Sequence, residues 1–323
     1  MTTVIVGSST ARTGTTRKSM RRLLAKRVGP FSVLSTTSTA SNVNSMTFSA
    51  LVDSGASATS FGQGWFYVTS GTLTDEQRRA ANSALNTTTG AISVTVSFGS
   101  IPGSGVEVEY LGRLPAKNDG FGVDGLNDCI AQALREYWFQ DLVSMTGTTG
   151  TTAYSLSSYD SWLKTVDRII DVYGPAPNSG DLPTRYSGRW NFRHDGEAPV
   201  LELPGAPYVT GDTFYLRVLR PGNSRLKQSG TWADNTDPMA EMTSDSDEFI
   251  PPPQDILQGG LLFAYRQLQE IGKGQTEISF WQRRADEQEK VWATVKRKFA
   301  PSDKQSRRPM LALLGGNDWL GVT

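Results

Sequence analysis

Apolar and polar positions alternate in the first third of the chain. Ile92, Val94, Val96 and Phe98 alternate with Ala91, Ser93, Thr95 and Ser97, which predicts a strand with one apolar face. A Gly/Pro segment at 99–105 follows, and then Val106, Val108 and Tyr110 alternate with Glu107 and Glu109. Two alternating runs around such a segment predict a β-hairpin. Trp65-Phe66-Tyr67-Val68 is a third, more apolar strand, and residues 75–85 are expected as a short helix between strands. The Ser/Thr-rich stretch 35–47 reads as an exposed strand or a loop. Ahead of these, residues 15–27 form a short basic helix with Met20, Leu23 and Leu24 on one face, ended by Pro30.

Further on the period changes. Leu126, Ile130, Ala133/Leu134, Tyr137/Trp138 and Leu142 recur every three or four residues, predicting an amphipathic helix over about 124–145 with Asp124 as N-cap. Residues 153–156, 166–173, 189–193, 199–203 and 212–220 are strand candidates, separated by breaks rich in Gly, Pro, Asn and Asp. Short strands in series suggest an antiparallel meander. After Pro251-Pro252-Pro253, Ile256/Leu257, Leu261, Ala264/Tyr265, Leu268 and Ile271 form a helical stripe. Trp281, Ala285, Gln288, Trp292, Val295 and Phe299 form another, and Gly272-Lys273-Gly274 joins the two as a helical hairpin over about 254–299.

The expected fold class is therefore α+β. A helical core (the 124–145 helix plus the hairpin) carries an inserted antiparallel β region at 150–222, behind an N-terminal β-rich domain. The boundaries are a basic arm and short helix at 1–30, the β-rich domain at 31–114, the helical domain with its insertion at 115–300 and a tail at 301–323. No apolar run approaches the roughly 20 residues that span a bilayer, and the opening MTTVIVGSST does not read as a secretory signal.

Composition narrows the chemistry. Lys+Arg and Asp+Glu are both 32, so a protein that coats nucleic acid over its whole surface is not expected. Charge is nevertheless segregated. Residues 1–52 hold Arg12, Arg17, Lys18, Arg21, Arg22, Lys26 and Arg27 with no acid, and residues 228–265 hold seven acids with no base. Ordinary solvated faces would account for this, and so would contacts between copies of the chain in a ring. Asp245, Asp247 and Glu248, with Trp281 and Trp292, are the expected inter-subunit residues. The acidic trio lacks the spacing of a calcium loop, and no metal or cofactor site is expected.

A single Cys, Cys129, excludes a disulfide framework and fits a reducing compartment, and His194 is the one His available to any His-dependent chemistry. Its setting, Arg193-His194-Asp195-Gly196, reads as a strand end at a hairpin turn. Ala50-Leu51-Val52-Asp53-Ser54-Gly55 resembles the catalytic loop of retroviral-type aspartic proteases, where Asp-Ser/Thr-Gly follows an apolar strand and two copies each supply a carboxylate. The Leu-Gly segment that would complete that fold, Leu313-Leu314-Gly315-Gly316, lies at the other end of the chain. Asp-Ser-Gly is also a good turn sequence.

Four stretches in order carry a broader likeness. They are Val68-Thr-Ser-Gly-Thr-Leu-Thr-Asp-Glu-Gln-Arg-Arg79 running into Thr89-Gly-Ala-Ile-Ser-Val94, then Glu109-Tyr-Leu-Gly-Arg-Leu-Pro115 with Gly125-Leu-Asn127 and Ala131-Gln-Ala-Leu134. The third is Tyr154-Ser-Leu156 with Trp162-Leu163 and Val166-Asp-Arg-Ile-Ile-Asp-Val172, and the last is the helical hairpin with its basic, then apolar tail. Together they span about residues 60–320, and their arrangement resembles the head-to-tail adaptor (neck connector) proteins of tailed bacteriophages.

That resemblance implies a structural, non-enzymatic virion protein of the neck or tail, assembled in the host cytoplasm. It implies a homo-oligomeric ring, commonly of twelve, below the portal protein. The ring would extend the channel for double-stranded DNA, contacted without sequence preference, and offer a docking surface to the next neck, nozzle or tail protein. The portal-binding segment then maps to Arg307, Arg308, Met310, Leu311, Leu313, Leu314, Trp319 and Leu320. The alternatives are another tail, neck, collar or fibre-attachment protein, the aspartic protease, and a carbohydrate-binding β module.

Overall fold

A computed structural model describes residues 14–52, 54–114, 121–156, 169–175, 184–195, 198–205, 208–234 and 239–298. The fold is α+β, with strands and helices segregated along the chain. In order, the elements are β1 (Thr15–Thr16), α1 (Arg17–Val28), β2 (Phe31–Ser35), β3 (Ser45–Thr47), β4 (Trp65–Val68), β5 (Gln77–Asn86), β6 (Ala91–Val94) and β7 (Glu107–Leu111). Then come α2 (Val123–Glu136), β8 (Trp138–Thr146), β9 (Ala153–Ser155), β10 (Ile169–Tyr173), β11 (Asn191–Asp195), β12 (Ala198–Glu202) and β13 (Thr213–Pro221). The last are β14 (Arg225–Gln228), β15 (Thr231–Asp234), β16 (Glu248–Phe249), α3 (Pro253–Glu270) and α4 (Gln275–Arg297). No described helix is long and apolar enough to cross a membrane.

Strands β2 to β7 form one antiparallel sheet in the order β2-β7-β4-β5-β6-β3. The chain just past β2 returns to the far edge through a bridge between Ser38 and Thr47, so the sheet closes into a six-stranded barrel with no free edge pair there. Phe48, Phe66, Ile92, Val108 and Tyr110 fill its interior. Closure corrects two expectations. The runs at 92–98 and 106–110 are not a hairpin, because β4 and β5 lie between β6 and β7. Their Gly/Pro connection crosses the barrel end instead, with Phe98 buried and Val96 exposed. Residues 77–86 are strand β5 rather than a helix, because the barrel needs that wall and tertiary pairing overrides a weak local preference.

The four helices share a second core. Helix α3 lies at its centre and is buried nearly all round, from Ile256 and Leu257 to Phe263 and Leu268. The sequence predicted one stripe there, because it did not foresee α1 covering the opposite side. Gly259 lets α3 approach α2 and α4 closely: a Cβ at that position would stand 2.8 Å from Ala133 Cβ and 2.9 Å from the Trp292 ring. Gly260 does the same toward Leu24 of α1. The α3–α4 connection is the expected glycine turn, with Gly274 at φ 109° and the Lys273 amide donating to Glu277 at 2.9 Å.

Helix α2 ends at Glu136 rather than near 145. The aromatic run Tyr137-Trp138-Phe139 turns extended there, and Trp138 opens a nine-residue ladder with β13, running from Trp138↔Pro221 to Thr146↔Thr213. The spacing of Trp138 and Leu142 matched a helical period by coincidence. Two three-stranded sheets, β10-β13-β8 and β11-β12-β9, share a third apolar core around Tyr154, Leu201, Phe214 and Leu216. His194 lies in β11 opposite Pro199, in a hairpin as expected. A small sheet, β1-β16-β14-β15, ties the chain's beginning to residues just ahead of α3.

Candidate functional site

Helix α1 begins at Thr16, whose hydroxyl accepts from the Ser19 amide at 3.1 Å. From that start Arg17 and Arg21 fall on one side of the helix, with Lys18 and Arg22 beside them. On strand β7 the residues alternate: Val108 and Tyr110 point into the barrel, and Glu107, Glu109 and Leu111 point out. The outer face of the barrel wall therefore meets the basic side of α1.

Arg21 sits at the joint of four elements. Its Nε donates to Glu109 Oε2 at 2.7 Å, its Nη1 to Asn127 on α2 at 3.2 Å, and its Nη2 to Asp245 Oδ2 at 2.7 Å. The guanidinium also lies 4.5 Å from the centroid of the Tyr67 ring. The side chains of Arg21 and Glu109 are both 0% exposed. Arg22 completes Glu109 at 2.7 Å and reaches Glu107 at 2.6 Å, and Lys18 also pairs with Glu107. Arg17 binds Asp245 Oδ1 through Nε at 3.2 Å and Nη2 at 3.1 Å, and donates to the Met242 carbonyl at 3.0 Å. The first-turn amides of α1 donate to the carbonyls of Asp247 and Asp245, so the acidic loop also caps the helix.

These contacts set the protonation states. Burial works against charge on Arg21, but its bonds to Asp245 and Glu109 outweigh that and hold its pKa above the ordinary value. Burial likewise opposes charge on Glu107, yet Lys18, Thr69 and Arg22 lower it to about 2. Asp245 is lowered too, with Arg21 and Arg17 prevailing over burial. Acids and bases here satisfy one another, and the cluster acts as a latch joining barrel, helices and acidic loop.

The residues expected between subunits have the following partners within their own chain. Asp245 is engaged by Arg17 and Arg21 of its own chain. Asp247 accepts from the amides of Thr243 at 2.8 Å and Ser244 at 2.9 Å. Glu248 pairs with Lys227 at 2.7 Å and accepts from the Gly14 amide at 3.1 Å. Asp245 thus ties the acidic block to the basic helix of the same chain, while Glu248 is met by Lys227. Trp281 and Trp292 are 0% and 1% exposed. They stack on Tyr265 and Tyr137 at 5.8 and 6.1 Å, so they belong to the subunit core.

The tail residues Arg307, Arg308, Met310, Leu311, Leu313, Leu314, Trp319 and Leu320 lie outside the described residues, as does Asp53. Ser49–Leu51, ahead of it, is a short 3-10 turn rather than the apolar strand that the protease resemblance expects. Ser54 donates back to the Leu51 carbonyl at 3.0 Å, a turn bond. Among the described residues no group of three or more His, Cys, Asp or Glu could hold a metal ion. Cys129 is buried, which pushes its thiol pKa well up. Comparison with protein-family models and with curated proteins finds no match for this chain.

The sequence reading missed Arg21 and Glu109 as a buried pair. Its one available signal was the pair of Glu residues alternating with the inward face of a strand, in a protein with an acid-free basic helix.

Proposed function

We propose that this protein is a structural subunit of a tailed-phage neck, a head-to-tail adaptor that forms a ring below the portal, extends the DNA channel and presents a docking surface to the next neck or tail protein. The observation that carries the reading is the helical body and its exit. The α3–α4 hairpin lies on α2, and Lys298 at the end of α4 pairs with Asp255 at the start of α3 at 2.9 Å. Lys298, the last described residue ahead of the basic, then apolar tail, is therefore held at the end of the bundle where α3 begins. The outer face of α4 exposes Arg283, Asp286, Glu289 and Lys290, mixed charges suited to a neighbouring copy in a ring.

The test is native mass analysis of the full chain mixed with the portal ring from the same genome. The reading expects a fixed set of added copies, one per portal subunit, lost on deletion of residues 307–323 while the fold persists. A portal that gains no copies, or a truncated chain that still docks, overturns it. The second reading, a collar or fibre-attachment component, draws on the barrel, which has its own closed core and is a self-contained module. It would bind elsewhere in the particle and leave the portal bare.

A further inference from the structure

A cleft of about 420 Å³ opens at one end of the barrel, within the size range of small-molecule sites. Its chemistry comes from Thr59, Ser60, Gln63, Asn82, Tyr110 and Arg113, and among the described residues no Asp or Glu lines it. The Tyr110 ring is fixed in the barrel core, 4.8 Å from the Phe66 centroid and 5.0 Å from that of Phe61. Its hydroxyl lies beside Gly64, and the residue is 6% exposed with no hydrogen-bond partner among the described residues. The hydroxyl is not one of the buried polar atoms that lack a partner, so it opens onto the cleft, where a ligand's polar group can meet it.

The segment beside it is held under strain. Gln63 has φ 64°, a left-handed conformation uncommon for a residue with a side chain. Gly62 and Gly64 flank it with no space for a Cβ: one would stand 2.3 Å from the Asn82 carbonyl oxygen, the other 2.3 Å from the Tyr110 ring. Strain of this kind persists only where the surroundings impose it, and it gathers at binding sites. The result is an aimed carboxamide pair. Gln63 Nε2 donates to Asn82 Oδ1 at 2.9 Å, which leaves Gln63 Oε1 as an acceptor and Asn82 Nδ2 as a donor in two residues that line the cleft. Arg113 is an exposed guanidinium with no acidic partner among the described residues.

We propose that this barrel mouth binds an acidic saccharide, a sugar ring bearing a carboxylate. Tyr110 and the Gln63–Asn82 pair would take its hydroxyls, and Arg113 its charge. A donor and acceptor side by side match the dual character of a sugar hydroxyl, and a lone guanidinium calls for an anion. A nucleobase is disfavoured, because Phe61 and Phe66 already occupy the neighbourhood of the Tyr110 ring and no free π-face remains for stacking. Burial raises the Tyr110 pKa to about 12, so the phenol stays protonated and able to donate. The proposal is independent of where the protein sits in a particle.

The test is chemical-shift perturbation on the full chain with glucuronate, galacturonate and N-acetylneuraminate, with glucose, galactose, inorganic phosphate and an oligo-dT as controls. The expected result is saturable binding of an acidic sugar with shifts at Gln63 and Asn82, stronger than for its neutral counterpart. Tyr110→Phe keeps the packed ring and should weaken binding about tenfold, the loss of one hydrogen bond to a polar ligand. Arg113→Gln should erase the preference for the acid over the neutral sugar. No shift with any acidic sugar, binding unchanged in both variants, phosphate binding as tightly as the sugars, or oligo-dT binding alone would each overturn the proposal.

Discussion

Two large side chains buried beside the same central helix are held in opposite ways. Trp292 of α4 lies against Gly259 of α3 and stacks on Tyr137, with its one polar atom donating to Glu136 at 3.0 Å. Arg21 of α1 is as deeply buried, but its surroundings are Glu109, Asp245 and Asn127. The hairpin is stabilised by removing apolar surface from water, which needs no particular partner. The α1 joint is stabilised only while each charge meets its counterpart, because an unpaired buried charge is far more costly than the pair is favourable. One helix interface is tolerant and the other is conditional.

The sharpest way to expose that difference is to remove one partner at the joint. Glu109→Ala removes the buried acceptor of both Arg21 and Arg22, with Asp245 still holding the far side of the Arg21 guanidinium, and should destabilise the chain by about 3 kcal/mol, the low end for breaking a buried pair, read as a lowered urea midpoint. Replacing both, Arg21→Met with Glu109→Leu, should cost clearly less than the sum of the two single changes. Additive losses would mean the two residues act separately and the latch is not a unit.

The same contrast explains what the sequence disclosed. The α3 and α4 stripes were legible because apolar periodicity is a local signal, and the residues that bury Trp281 and Trp292 share its period. The strand at 106–111 was legible as alternation, but alternation does not say whether the polar face meets water. Glu109 faces Arg21, 88 positions away in the chain, and Asp245 is 224 away. Charge blocks so distant carry no local sign of whether they meet within one chain or between copies, so the acidic loop was assigned to a subunit contact that the fold uses internally. The β5 strand and the end of α2 were misread for a related reason, since barrel closure and the long β8–β13 ladder are non-local demands. The barrel-mouth site was illegible, because it depends on the left-handed turn at Gln63 and on a phenol with no partner.

On the hairpin side the sensitive variable is space. Gly259→Ala places a methyl 2.8 Å from Ala133 Cβ and 2.9 Å from the Trp292 ring, both in a packed core. Overpacking of this kind costs about 1–3 kcal/mol, against which the better helix propensity of Ala returns about 1. A modest net loss of thermal stability is expected, with no dependence on pH or salt. A stabilised variant would show that the α3–α4 seam is looser than its geometry indicates.

Acid should act on the joint first. Glu107 is lowered from its ordinary 4.5 to about 2, and Asp245 also lies below its ordinary range. Carboxylates lowered in the folded state contribute stability above their unfolded values and lose it as pH falls through the folded ones. The stability of the parent should therefore decline between about pH 4.5 and 2. The side chain of Glu107 is 34% exposed, so screening keeps its share modest. Glu107→Gln should flatten part of that decline in a series of urea midpoints. Identical slopes for parent and variant would remove Glu107 from the latch.

The smallest effect is expected where the hairpin itself carries a charge pair. Lys296 meets Glu136 at 2.7 Å, with the two side chains 40% and 43% exposed. Such pairs contribute about 0.2–1 kcal/mol, because water screens them and two long side chains must be ordered. Glu136 also keeps the Trp292 N–H when the lysine is gone, so Lys296→Ala leaves no buried group stranded. Its cost should stay under about 1 kcal/mol and fade with added salt, whereas the loss in Glu109→Ala should persist, since ions do not reach a dry pair. A Lys296→Ala loss as large as that of Glu109→Ala would mean that the hairpin, too, is held by charge, and the distinction between the two interfaces would fail.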